Sequence, residues 1–373
     1  MEACTEHVPG RGTGSHAPDV NQRVLTYFEA MTVIDVLKDR GEEGKLTSVA
    51  ATQDLGTSPF ANKAQELIGD DINPASCGLG FTCRKGLRRG SLNQDSWLVL
   101  KMPTLSLYAV FDGHGRRGHD VAEFVKEHLP KLIVRDPRFK TADMPALFKD
   151  VFEHMQALIV AADRLHMLDA QRSGTTATVC VHDHSRNQLT MAHLADSTAV
   201  LGRISGGDRG AVDGVALTRD HKPDDADERA RIERSGGRIV FDGFRHHRVY
   251  AKDSRYPGLN LSRSFGDLMG HRDSGLSCEP EVSVHDVQPG DLFLLLCSDG
   301  VWQFINPTEA AQLVSRFPPA KTFAAVDHLA GEAWNRWMRE EEGAFVDDIT
   351  VVLVDLITDR ADSTQTMPRS GGC

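Results

Sequence analysis

The chain has 373 residues, 40% of them hydrophobic, and a formal net charge of −11 at pH 7. That length allows one large domain with extensions or two average domains, with enough apolar residues for a sizeable core. The acidic balance is spread along the chain and argues against a general nucleic-acid binder, which needs a basic face, and no apolar run reaches membrane-spanning length.

Residues 1–19 are polar, carry Gly, Pro and His, and are expected to be disordered. From about 20 to 40, Val24, Phe28, Met31, Ile34 and Leu37 recur on one face, which predicts one amphipathic helix stopping near Gly41. Residues 41–74 have no clear period and read as linker, so 1–74 is expected to be an N-terminal extension ahead of a domain over 75–357. Strands are predicted at Leu105–Phe111, Thr176–Val181, Leu189–Ala195, Leu292–Cys297 and Thr350–Leu356, several of them apolar at nearly every position, as in strands covered on both faces. Asp183–Asn187 reads as a hairpin connection. Helical spacing runs from Val121 to Leu132, Phe148 to Leu165, Thr308 to Phe317 and Thr322 to Met338. Residues 223–261, rich in Arg, Asp and Gly, are expected to be a surface excursion, and 358–373 a disordered tail.

Cysteines stand at positions 4, 77, 83, 180, 278, 297 and 373, an odd number without CxxC spacing, which disfavours a disulfide framework or structural zinc. The N-terminus shows no signal-peptide hydrophobic region. The expectation is a soluble chain of a reducing compartment, the cytoplasm with the nucleus as a second location, without membrane or nucleic-acid partners and taken as a monomer.

The most informative run is Phe111-Asp112-Gly113-His114-Gly115, at the exit of the strand that starts at Leu105. Asp offers hard oxygen ligands, Gly lets a carbonyl approach an ion, and His titrates near neutral pH. Asp-Gly is also a common turn pair, so the run alone fits a turn equally well. The same pattern recurs. Asp196 follows Leu189–Ala195, Asp299 follows Leu292–Cys297, and Asp347 and Asp348 precede the last strand. Carboxylates crowded at one sheet end repel unless a cation compensates them, and oxygen-only ligation suits Mg²⁺ or Mn²⁺.

In order along the chain stand Asn93-Gln94-Asp95, the Asp112 run, Ser173-Gly174-Thr175-Thr176-Ala177, Ala195-Asp196-Ser197, Leu261-Ser262-Arg263-Ser264-Phe265-Gly266-Asp267, Cys297-Ser298-Asp299-Gly300-Val301-Trp302 and Asp347-Asp348-Ile349-Thr350-Val351. Together they resemble the metal-dependent protein serine/threonine phosphatases of type 2C. The resemblance covers roughly residues 76–357. It implies an α+β fold, a four-layer α/β/β/α sandwich of two antiparallel sheets flanked by helices, with 223–261 as a flap beside the site. It also implies hydrolysis of phosphoserine and phosphothreonine in protein substrates by a metal-activated water. Asp112 would bridge two Mg²⁺ or Mn²⁺ ions, Gly113 would lend a carbonyl, and Asp299 and Asp347 would complete the shells. Asp196 would serve a third, weaker ion, Asp95 would hydrogen-bond coordinated waters, and His114 would protonate the leaving oxygen.

Three positions depart from the family pattern. Gln94 stands where Glu is common, so it would ligate through a neutral amide oxygen. Gln303 replaces the usual Asp after Trp302, which weakens the case for a third ion. The phosphate-binding Arg has three candidates in Lys85, Arg88 and Arg89, of which Arg89 is favoured. These departures keep a second reading open, a weakly active or non-catalytic phosphatase-like module that binds phosphoproteins. A two-metal nuclease or phosphodiesterase would use the same chemistry but lacks basic-groove or base-stacking signals.

Overall fold

The computed structural model describes residues 20–52, 56, 58–88, 90–205 and 210–358. Two helices, α1 (Val20–Glu29) and α2 (Val33–Asp39), precede β1 (Thr47–Ala51) and β2 (Gln65–Gly69). Next come β3 (Leu79–Arg84), β4 (Asp95–Lys101), β5 (Leu105–Gly115), and the long helices α3 (Gly118–Arg135) and α4 (Met144–Arg164). Strands β6 (Ser173–Thr175), β7 (Ala177–Asp183), β8 (Gln188–Leu194), β9 (Thr198–Ile204) and β10 (Val212–Ala216) follow. The flap holds α5 (Ala226–Arg234), β11 (Gly237–Phe241), β12 (His247–Ala251) and β13 (Pro257–Leu259), then β14 (Phe265–Gly266) and α6 (Leu268–Ser274). The chain finishes with β15 (Glu281–Asp286), β16 (Asp291–Cys297), α7 (Asp299–Trp302), α8 (Pro307–Ser315), α9 (Thr322–Glu340) and β17 (Ile349–Asp355).

The large sheet runs β15-β8-β7-β5-β4-β1-β2, and the second runs β10-β9-β16-β17-β3, with antiparallel ladders throughout. Alternation along β5 shows why they stack. Tyr108 and Val110 join the core between the sheets, with Phe81, Leu294 and Val352 from the other sheet. Leu107, Ala109 and Phe111 face the opposite way, into the core beneath α1 to α4. A third core, with Leu295, Val351, Leu329 and Ala333, lies between the second sheet and α8 and α9. Two-sided burial explains the near-continuous apolar runs. The result is the expected four-layer α/β/β/α sandwich. Among the described residues no helix is long and apolar enough to cross a membrane.

The N-terminal segment differs from its sequence reading. The single helix over 20–40 is two, because Thr32 caps α2: its hydroxyl accepts from Asp35 N–H while Asp35 accepts from Thr32 N–H. Nor do the described residues between 41 and 74 form a loose linker. β1 pairs with β4, and β2 pairs with β1 at the sheet edge, so no structural break falls at 74/75. Leu25, Phe28, Ile34 and Leu37 belong to the same core as α3 and α4. Two buried lysines of α3 fasten the segment, Lys131 Nζ to the Phe28 carbonyl (2.9 Å) and Lys126 Nζ to the Ala51 carbonyl (2.7 Å). The flap also has more order than a surface excursion: Ile232, Val249 and Leu276 form a small core of their own, which carries it past residue 261. Of the terminal stretches expected to be disordered, 1–19 and 358–373, all but Thr358 lie outside the described residues; Thr358 is ordered, its N–H donating to Asp355 Oδ1 (2.7 Å).

Leu37 is fully buried. Leu37→Ala should therefore lower the unfolding free energy by about 2–5 kcal/mol within a single cooperative urea transition. An unchanged midpoint would mean that the N-terminal segment folds apart from the sandwich.

Candidate active site

The strand register collects the aspartates. Cys297 pairs with both Thr198 and Val351, so Asp196, Asp299 and Asp347, each just beyond a strand end, meet at one end of the second sheet. Asp95 pairs with Asp112 across β4 and β5, and this brings the large sheet's carboxylates to the same end. The Asp112 run is not a turn. It continues β5, with Gly113, His114 and Gly115 paired to Thr175, Gly174 and Ser173 of β6. Asp112, Gly113, His114, Gln94, Asp196, Asp299, Gln303 and Asp347 line one cavity of about 670 Å³, together with Arg88 and the flap.

Glycine is required twice here. A Cβ on Gly113 would lie 2.4 Å from the Gly118 carbonyl oxygen, and one on Gly174 would lie 2.3 Å from Asp267 Oδ2. Only bare backbone lets α3 start so close behind the motif and lets His114 reach Asp267. His114 Nε2 stands 2.6 Å from Asp267 Oδ2, which also accepts from Ser264 Oγ at 2.8 Å. Burial works to lower the imidazole pKa, but the charge and hydrogen bond of Asp267, with Asp196 beyond, raise it overall. His114 Nδ1 has no hydrogen-bond partner among the described residues. Asp267 sits in a left-handed conformation (φ 44°) and closes the Leu261–Asp267 motif, whose sequence alone assigns it no role.

The carboxylates are under strain of one sign. Burial pushes the carboxyl groups of Asp112, Asp299 and Asp347 up, and neighbouring aspartates push them further. Protein cations relieve part of this. Lys222 Nζ lies 2.5 Å from Asp196 Oδ2, and Arg88 Nη2 lies 3.6 Å from Asp347 Oδ1. Among the described residues no group of three His, Cys, Asp or Glu side chains by itself forms a ready cage for an ion. The donor set fits hard cations that keep several waters: carboxylate and carbonyl oxygens on rigid strand ends, short of positive charge.

The protein contacts of the other expected site residues are specific. Asp95 does not line the cavity; its Oδ2 accepts from Ser298 Oγ and Thr350 Oγ1, both at 2.7 Å. It thereby braces the residue before Asp299 and the strand after Asp347. Gln94 lines the cavity, but its Nε2 donates to the Gly115 carbonyl (2.8 Å) and its Oε1 faces Arg88 Nη1 (3.4 Å). Those contacts make it an organiser of the motif and of Arg88. Asp196 already has Lys222 as counter-ion, so a third ion there has less charge to neutralise. Lys85 is buried and does not line the cavity; its Nζ donates to the Gly86 carbonyl and Ser91 Oγ. The favoured Arg89 lies outside the described residues, and Arg88 is the described member of the three that lines the cavity.

A carboxylate-rich cavity between stacked sheets, with a buffered imidazole and a guanidinium at its rim, has the chemistry of a metal-dependent phosphoester hydrolase. Residues 89–333 match the family model for protein phosphatase 2C. A probable protein phosphatase 2C 61 from Arabidopsis thaliana is 34% identical over 255 residues, covering 67% of this chain and 76% of that one. A probable protein phosphatase 2C 48 from Oryza sativa subsp. japonica is 32% identical over 337 residues, covering 84% and 90%. Among solved structures, a serine-threonine phosphatase 2C from Toxoplasma gondii superimposes with a TM-score of 0.63 at 20% identity, over 74% of this chain and 94% of that one. A C. elegans sex determining protein does so with a TM-score of 0.60 at 24% identity, over 78% and 67%. At those identities the two structures speak to the fold alone. The chain belongs to the protein phosphatase 2C family. It is a protein serine/threonine phosphatase, a metal-dependent hydrolase.

Arg88 makes a distinct forecast among the three basic candidates. Arg88→Ala should weaken competitive inhibition by inorganic phosphate about tenfold or more, since a charged, forked contact is lost. Inhibition that is unchanged in Arg88→Ala and lost in Arg89→Ala would reassign the role.

Proposed function

We propose that Asp112, the Gly113 carbonyl, Asp299 and Asp347 hold two Mg²⁺ or Mn²⁺ ions, and that the substrates are phosphoserine and phosphothreonine side chains of proteins. The observation that carries this reading is the set of cavity-lining aspartates whose carboxyl groups burial and mutual repulsion drive upward. Bound divalent ions would supply the missing positive charge, a water made acidic enough to attack at neutral pH, and neutralisation of charge on the phosphoryl group.

The protein's own residues supply the rest. Arg88, which faces both Gln94 and Asp347, can turn its fork to two phosphate oxygens. Asp267 at Nε2 keeps the His114 ring oriented and favours its charged form, from which the imidazolium can give a proton to the departing serine or threonine oxygen. Asp95 fixes Ser298 and Thr350, so that Asp299 and Asp347 keep their spacing while charge changes around them. The non-catalytic alternative rests on Gln94 and Gln303, and both line the cavity beside Asp112, Asp196, Asp299, Asp347, His114 and Arg88.

A general acid leaves a signature in the leaving group. His114→Ala should slow Mn²⁺-dependent hydrolysis of a phosphothreonine peptide by about two to four orders of magnitude. The same variant should slow p-nitrophenyl phosphate far less, because that leaving group needs no proton, and EDTA should stop both reactions. Equal losses on the two substrates would remove the proton-donor role; EDTA-resistant turnover would remove the metal.

A further inference from the structure

The flap wall of the active-site cavity carries an ion pair that the chemistry above does not use. Arg245, in the loop between β11 and β12, places Nη1 3.2 Å from Glu341 Oε1 at the end of α9. Its guanidinium also lies 5.7 Å from the Phe304 ring centroid. Arg245 and Glu341 both line the cavity that holds Asp112 and Asp299, and their side chains are 50% and 33% exposed.

The other flap groups facing this space are committed. Asp242 Oδ1 accepts the backbone N–H groups of Phe244, Arg245 and His246 at 2.9, 3.1 and 3.1 Å, which fixes the loop. Arg248 is bound twice, to Asp242 Oδ2 (3.1 Å) and to the Gly258 carbonyl (2.9 Å). His246 is held toward its neutral form by burial and by nearby Lys222 and Arg248. Arg88 serves the phosphate. Arg245 stands on this fixed loop, and its counter-ion comes from a different part of the molecule.

A half-exposed ion pair of this kind contributes little to stability, so another carboxylate can take Glu341's place readily. The acidic protein as a whole repels acidic ligands, but that field is screened beyond about 8–10 Å, and the local cation decides which side chain settles beside it. Phe244, the neighbour of Arg245, is 88% exposed and lines the same cavity, so the loop presents its charge to whatever enters.

We infer that Arg245 is a specificity-determining residue that binds an acidic side chain flanking the phosphorylated residue, and that Glu341 is the internal carboxylate which occupies Arg245 until such a substrate displaces it. The inference rests on the reading of the cavity as a phosphoprotein site. It names the substrate class as phosphopeptides with an acidic neighbour. Removing Glu341 should sharpen the preference, because the competitor is gone; removing the Arg245 charge should erase it.

The test uses the full chain with Mn²⁺ and fluorescent peptides that carry a non-hydrolysable phosphonate in place of the phosphothreonine. A single Glu is moved through the flanking positions, with Gln in its place as reference, and Kd is read by anisotropy. For at least one Glu position the wild type should bind the Glu peptide about two- to fivefold more tightly than the Gln peptide. That ratio should fall to about one in Arg245→Gln and rise above the wild-type value in Glu341→Gln. Both side chains are partly exposed, and a thermal melt checks that each variant is folded. A ratio that survives Arg245→Gln, or that Glu341→Gln leaves unchanged, overturns the inference. Turnover of the corresponding phosphate peptide by the wild type is measured in parallel. Its absence would count against the phosphatase reading, while the Kd ratios still decide the role of Arg245.

Discussion

Crowding of negative charge at one end of a β-sandwich is the constraint on which the rest of this structure depends. Asp112, Asp196, Asp299 and Asp347 sit at strand ends that the register of two sheets holds fixed, so they cannot separate to relieve repulsion. Rigid strands also deny them full hydration. Their carboxyl groups are accordingly harder to ionise than free aspartate in the three cavity positions where burial dominates. A fold that keeps such an arrangement needs positive charge from somewhere.

The protein supplies a share of it. Lys222 sits on Asp196 and Arg88 approaches Asp347, while Asp112 and Asp299 have no such side-chain cation in contact among the described ion pairs. The distribution is uneven: Asp196 has a close lysine, Asp347 a guanidinium only at 3.6 Å, and Asp112 and Asp299 neither. It also bears on Gln94: an amide at that position adds no further negative charge and can donate to the Gly115 carbonyl, which a carboxylate could not. The brace formed by Asp95, Ser298 and Thr350 has the same logic, because it spends a buried carboxylate on position and keeps it out of the cavity.

Much of this was legible in the sequence, for a physical reason. Strands buried on both faces read as apolar runs, and an aspartate ending such a run stands out against it; four of them in succession pointed to a cation. Motif order then identified the family. What stayed hidden depends on contacts without a periodic signal. β1 is a short run of small residues and β2 is mostly exposed, so their place in the large sheet comes from backbone pairing that no hydrophobic pattern announces. The flap is held by polar ties to Asp242 and a core of three residues. Asp267 reaches His114 across 153 positions of sequence, a distance over which spacing carries no information. Lys85 and Arg88 could be told apart only once one was seen buried and the other at the cavity rim.

Direct measurement of Mn²⁺ binding by calorimetry tests the central claim most closely, because it reads the charge compensation itself and needs no turnover. The wild-type chain should bind two ions saturably, and Asp112→Asn, which removes one carboxylate from the shared centre, should lose at least one of them. Absence of saturable binding, or an isotherm that Asp112→Asn leaves unchanged, would contradict the account.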